Sequence, residues 1–161
     1  MSVDMDPRDR PHLDRCIALA REALEAGDEP FGSVLTDGDG RVLHEARNRA
    51  VTGDPTRHPE FALARWAAQN LTPDQRRQAV VYTSGEHCPM CSAAHAWAGL
   101  GRIVYISSAA QLGEWLSEIG VEAAPVASLA IREVAPGIPI KGPIEGLDRI
   151  LRDLHRRRHD A

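Results

Sequence analysis

The 161-residue chain has no apolar run approaching the roughly 20 residues a membrane-spanning helix requires, which excludes that class. Its first nine residues are polar and hold no apolar signal core, so export is not expected and a cytoplasmic location is. A large positive field is missing as well: the net charge is −4, and no basic surface for nucleic acid is advertised. Lysine is almost absent, with Lys141 alone among 19 basic residues, so the arginines reflect a chain-wide preference rather than a binding patch. The five arginines between Arg149 and Arg158 are offset by Asp148, Asp153 and Asp160 to +2, as on a solvated helix face. Repeats, low-complexity linkers and shifts of composition are lacking, so residues 1–161 are expected to form one domain. Hydrophobic residues make up 43% and charged residues 26%, which argues against wholesale disorder. Cysteine is scarce and odd in number, three in all, with Cys88 and Cys91 three apart; that points to metal or redox chemistry rather than a disulfide framework.

Hydrophobic spacing outlines the elements. Leu13, Ile17, Ala20 and Leu24 share one helical face, with Gly27 as a stop, and Cys16 on that face is expected to be a core thiol. Phe31 to Thr36 and Arg41 to Ala46 read as strands joined by the hairpin signal Asp37-Gly38-Asp39-Gly40. Residues 48 to 57 form a loop, and an apolar-rich helix follows from His58 to about Gln69. Ala79 to Thr83 is a short buried strand; Pro89 opens a helix to about Leu100, and Arg102 to Ser107 is a further strand. Helices are expected over Ala109 to Ile119 and Glu145 to Arg158, whereas the prolines and glycines between Pro136 and Pro143 break any regular element. Residues 1 to about 8 are expected to fray. Alternation of strands and helices after an initial hairpin predicts a layered α/β domain with a mixed sheet.

Two fragments carry chemistry, His58-Pro59-Glu60 and Cys88-Pro89-Met90-Cys91, each opening a helix. Cysteines three apart in a first helical turn lie on one side, so both sulfurs can meet one ion, and His58 can add a nitrogen. Zinc suits that donor set, and three ligands leave a fourth position for a water that ionises near neutral pH. Glu60, two residues from the histidine, can move that water's proton without binding metal. The competing readings are a thioredoxin-like redox pair, or a structural zinc site closed by His95 four residues after Cys91.

The paired motifs are a signature of zinc deaminases acting on bases, and the chain resembles the cytidine-deaminase-like superfamily. Residues Asp54 to Glu60 (Asp-Pro-Thr-Arg-His-Pro-Glu) are similar to the Asp-Pro-Thr-Ala-His-Ala-Glu of guanine deaminases and tRNA adenosine deaminases. Thr83 to Cys91 resembles most the bacterial guanine-deaminase version, and Pro30-Phe31-Gly32 matches the entry to the family's first strand. The resemblance covers roughly residues 10 to 107 and implies a three-layer α/β/α fold around a mixed five-stranded sheet. It implies a zinc cofactor on His58, Cys88 and Cys91, with Glu60 as catalytic acid/base and Asn48 bonding the substrate base. It further implies a homodimer acting on a small nucleobase rather than on nucleic acid or a membrane, guanine first and cytosine or a similar ring second. A tRNA adenosine deaminase and a structural-zinc domain without turnover are the alternatives. Two departures stand out: Pro59 replaces alanine, and His87 replaces the proline before the first cysteine, which makes His87 a candidate substrate contact. Trp66, Trp97 and Trp115 read as packing residues, although Phe31 and Trp97 are also candidates to flank a flat base.

Overall fold

The computed structural model describes residues 5–160. Helix α1 (Arg10–Glu25) buries Leu13, Cys16, Ile17 and Ala20, the stripe its spacing predicts. Strands β1 (Gly32–Thr36) and β2 (Val42–Arg47) form the expected hairpin. Asp37 closes it, its Oδ1 accepting from the amides of Asp39 (2.9 Å) and Arg41 (3.0 Å), while Gly40 supplies the positive φ of +88° that the turn requires. Then follow α2 (Pro59–Asn70), α3 (Pro73–Gln78), β3 (Val80–Gly85), α4 (Pro89–Ala98), β4 (Ile103–Ser107) and α5 (Ala109–Glu118). The short α6 (Ile131–Val134), the two-residue β5 (Ile140–Lys141) and α7 (Leu147–His159) complete the chain.

The sheet order is β2-β1-β3-β4-β5, antiparallel across β2-β1-β3 and parallel across β3-β4-β5. This is the mixed five-stranded α/β sheet expected. The central strands are apolar on both faces, and period-two alternation sorts their side chains into two cores. Val34, Tyr82, Val104 and Ile106 pack with α1, α5 and α7; Leu35, Val81, Ile103 and Tyr105 pack with α2, α4 and α6. Helices on both faces make three layers. Gly32 lets α1 lie close upon β1: a Cβ there would lie 2.6 Å from the Cys16 carbonyl oxygen, so no larger residue fits without moving the helix.

Two expectations needed correction, and one helix had not been foreseen. Met5 packs against the first core, so the chain is anchored before α1 and does not fray up to residue 8; residues 1–4 lie outside the described residues. Helix α3 has no buried residue and so shows no periodicity, but Thr72 and Gln75 cap it reciprocally (3.2 and 2.8 Å) behind Pro73. The stretch from Pro136 to Pro143 is not wholly irregular, since β5 within it pairs with β4 through Ile103↔Ile140 and Val104↔Lys141.

His155 on α7 sits in the first core between Phe31 (ring centroids 4.9 Å apart) and Trp115 (6.3 Å). Burial lowers its pKa to about 4, and the neighbouring His159 adds to the effect. A histidine in the unfolded chain titrates near 6.5 (about its unperturbed value). Between these two values only the unfolded chain takes up the proton, so stability falls as the pH drops through that window. His155→Leu is expected to flatten the dependence of the urea midpoint on pH between about 6.5 and 4. The slope persists in part, because burial also lowers the pKa values of His87 and His95.

Candidate active site

The two chemistry-bearing fragments adopt the same local structure. His58 is the residue before α2 and Cys88 the residue before α4, each with extended backbone (ψ 143° and 169°), and each followed by a proline in the first helical position. Proline costs nothing there because that amide has no helical partner, and its fixed φ starts the helix at a defined residue. Since α2 and α4 pack side by side on one face of the sheet, both starts project their side chains into the same space. His58 Nδ1 lies 3.5 Å from Cys88 Sγ and 3.6 Å from Cys91 Sγ, and the two sulfurs are 3.4 Å apart. Tetrahedral zinc, with bonds of about 2.3 Å to sulfur and 2.0–2.1 Å to nitrogen, sets donor separations of roughly 3.5–3.8 Å. The donor set therefore fits zinc in type, number and spacing, and it is the one such group found among the described residues.

Protons are distributed accordingly. Cys88 is held down to about 4, chiefly by the hydrogen bond from the Cys91 thiol and then by His58. Cys91, the donor in that bond and deeply buried, is pushed up. One sulfur is thus already charged, and a bound cation would displace the proton on the other. Glu60, one residue into α2, is 5% exposed. Its Oε1 lies 3.2 Å from Ser33 Oγ on β1 and 3.1 Å from Thr83 Oγ1 on β3, and these hydroxyls are 2.8 Å from each other. Burial raises the Glu60 carboxyl to about 7, against the opposing influence of nearby His58.

Asn48 follows β2 directly and is buried; its amide donates to the Phe31 carbonyl (3.0 Å), and its Oδ1 accepts from the Ala50 amide (2.9 Å). It is thereby tied to the residue that precedes Gly32 and Ser33. Phe31 is half-buried, with its ring against His155 and beside Gly85. His87 and Trp97 are not brought to the cluster in the same way. His87 is 1% exposed and packs edge-on against His95 (5.4 Å, 89°), inside the fold beneath α4. His95 Nε2 donates to the Gly101 carbonyl (2.7 Å) and stands outside the metal-ligating group, so it serves the turn into β4. Trp97, at the far end of α4, is 90% exposed. Sequence reasoning missed Ser33 and Thr83; their hydroxyls were a weak signal, since β1 also carries Thr36 and β3 also carries Ser84. Also missed was Glu86, whose carboxylate accepts from the first amides of α5 (Ala109, 2.9 Å) and α6 (Ile131, 2.9 Å) and so fastens both to the loop before Cys88.

The family described as the cytidine and deoxycytidylate deaminase zinc-binding region matches residues 7–107. A probable cytosine deaminase of Schizosaccharomyces pombe is 33% identical over 107 residues, covering 65% of this chain and 63% of that protein. The guanine deaminase of Bacillus subtilis is 39% identical over 95 residues, 58% of this chain and 60% of that one. A tRNA-specific adenosine deaminase of Agrobacterium fabrum is 35% identical over 99 residues, 60% and 64% of the two chains. The chain thus spans about three fifths of the length of these curated relatives. Among solved structures, a guanine deaminase from Nitrosomonas europaea superposes with a TM-score of 0.73 at 20% identity, covering 99% of this chain and 87% of the other, a likeness of fold.

Purified protein is expected to hold one zinc per chain by elemental analysis. Cys91→Ser should drop the metal content well below one and lower the melting temperature, because the ion ties α2 to α4 and its binding energy is folding energy.

Proposed function

We propose, because this chain belongs to the zinc-binding cytidine and deoxycytidylate deaminase family, that it hydrolytically deaminates a free amino-substituted nucleobase. Guanine is the first expected substrate and cytosine or a similar ring the second. The observation that carries this reading is the pairing of a three-donor cluster with a buried carboxylate two residues from the histidine donor, held by hydroxyls from two strands. A structural zinc site has no use for a buried carboxyl kept off the metal, and a redox pair has no use for His58.

In this reading His58, Cys88 and Cys91 would hold zinc, which would supply Lewis acidity and make a water acidic near neutral pH. Glu60 Oε1 is engaged by Ser33 and Thr83, which leaves Oε2 to carry a proton from that water to the departing nitrogen. The water oxygen bonds to the ring carbon that bears the amine, one of the water's protons passes to the adjacent ring nitrogen and the other to the amine, and the carbon–nitrogen bond breaks to leave a carbonyl and ammonia. Asn48 orients the ring by a directional hydrogen bond, and Phe31 stands beside the entrance as an apolar wall. The same reading takes residues 1–161 as one domain, working in the cytoplasm as a homodimer.

A second reading has its own observation. A groove of about 650 Å³ runs from His58 along α2 and is lined by Arg47, Arg49, Arg57 and Arg65, with His44 stacked on Trp66 (4.9 Å) in its wall. Arginines beside an aromatic platform suit phosphates and an unstacked base, the needs of a tRNA adenosine deaminase. The net charge of −4, the Asp54 and Glu45 carboxylates in the same lining, and the likeness of Thr83 to Cys91 to guanine deaminases favour the free base.

Ammonia release on a panel of free bases, nucleosides and a tRNA anticodon stem-loop separates the two readings. Release from guanine or cytosine but not from the stem-loop is expected; efficient turnover of the stem-loop with no ammonia from any free base would replace the first reading by the second. Glu60→Ala should keep its zinc and its fold while losing about 10²–10⁴-fold in turnover. Light scattering is expected to report a particle heavier than the 17.6 kDa protomer.

A further inference from the structure

Asn48 owes its place to a carboxylate outside the metal-binding motifs. Asp28, in the turn after α1, is 2% exposed, and its own amide is fastened to the end of that helix by the Ala23 carbonyl (2.9 Å). Its two oxygens reach the loop after β2 at separate points. Oδ2 accepts from Arg47 Nη1 (3.0 Å), and Oδ1 accepts from the Val51 amide (2.8 Å). The same Arg47 nitrogen donates to the Asn48 carbonyl (2.9 Å). Residues 47 and 51 are thus gripped by one buried side chain, with Asn48 between them. On its other side the loop is joined to the metal cluster, since the Arg49 amide donates to the carbonyl of Arg57, the neighbour of His58 (3.1 Å).

We propose that Asp28 is a positioning residue that sets the place of Asn48 relative to the metal cluster, and with it the choice among bases. This rests on the reading of Asn48 as the contact to the base. The physical argument is one of leverage. The Asn48 Oδ1 accepts from the Ala50 amide, which ties the side chain to the loop, so its amide nitrogen and its free lone pair point where the loop backbone places them. That backbone is held by charge-assisted hydrogen bonds, which are short and directional, in a site where removing one partner strands the other. A loop that merely needed anchoring could use one contact; two oxygens of one carboxylate on either side of Asn48 fix both its distance and its rotation. Asp28 touches no reacting atom and acts through Asn48.

The test uses the zinc-loaded enzyme and compares Asp28→Asn, Asn48→Ala and the double variant on guanine and cytosine, with zinc content measured for each. Asp28→Asn is expected to raise KM on the preferred base about tenfold, with a smaller effect on kcat, and to narrow the preference between the two bases, the cost of one misdirected hydrogen bond. In the Asn48→Ala background the same change should alter KM by less than about twofold, because the group it positions is gone. Hydrogen exchange, read without substrate, should rise at the Ala50 and Val51 amides and stay unchanged in α2 and α4. Should Asp28→Asn fold poorly, Arg47→Met removes the other half of the clamp and is expected to behave alike. Effects of Asp28→Asn and Asn48→Ala that multiply in the double variant would overturn the proposal, as would unchanged protection at Val51 or an equal fall in kcat on both bases. A wild-type KM in Asn48→Ala alone would remove the base contact itself, and the inference with it.

Discussion

Everything at this site depends on two helices that begin side by side. The residue before α2 brings an imidazole and the residue before α4 a thiol, and both are followed by a proline that fixes where the helix starts. A cluster whose three donors lie within 3.6 Å of one another tolerates little drift in either start, since a one-residue slip would rotate a ligand by about 100° around its axis. Proline is permitted at few other places in a helix, so its use twice in the same position is a constraint on phase rather than on stability. The packing of α2 against α4 then turns two local facts into one site.

The sheet supplies what the helices cannot. β1 and β3 are neighbours, with Ser33 opposite Thr83 in their register, so two hydroxyls meet at one point beneath α2. Their burial would be costly if they were unpaired; Glu60 and each other are the partners that satisfy them. The site lies at the carboxyl end of β3, whose continuation leads directly to Cys88. Crevices outside such strand ends are the usual place for ligands in open α/β sheets. Glu86, one residue past β3, extends the same logic by fastening α5 and α6 to the loop that carries the first cysteine.

What could be read from the sequence follows from how local each signal is. The metal donors, Glu60 and the main helices rest on spacings of two to four residues and appear where expected. The mixed sheet followed from alternation, but the position of β5 did not, because a two-residue strand has no period and its proline- and glycine-rich surroundings resemble a loop. His87 illustrates a different limit. Its place before Cys88 suggested substrate contact; its ring packs edge-on against His95 in the helix that follows, a contact that the turn into that helix sets and no local spacing announces. Trp97 shows the converse, an aromatic among apolar neighbours that ends up in solvent because it falls on the outer side of α4. Asp28 carried no signal at all: its partners are 19 and 23 residues away, and only the closed hairpin brings them within reach.

The division of labour has a mechanistic consequence. The Glu60 carboxylate is oriented by β1 and β3, whereas the three metal donors are placed by α2 and α4. Glu60 belongs to both systems through the backbone of α2; its carboxylate is held by hydroxyls of the sheet and also lies against the Cys91 thiol. Glu60 stands outside the metal-ligating group, so its replacement removes no ligand. The hydrolysis proposed above would use a carboxylate kept off the metal, because the nucleophile must stay in place while the proton moves from one side of the reacting carbon to the other. A carboxylate bound to the ion would be fixed and charged throughout. One held by two neutral hydroxyls in a buried position keeps its orientation in both protonation states, since each hydroxyl can rotate to donate or to accept.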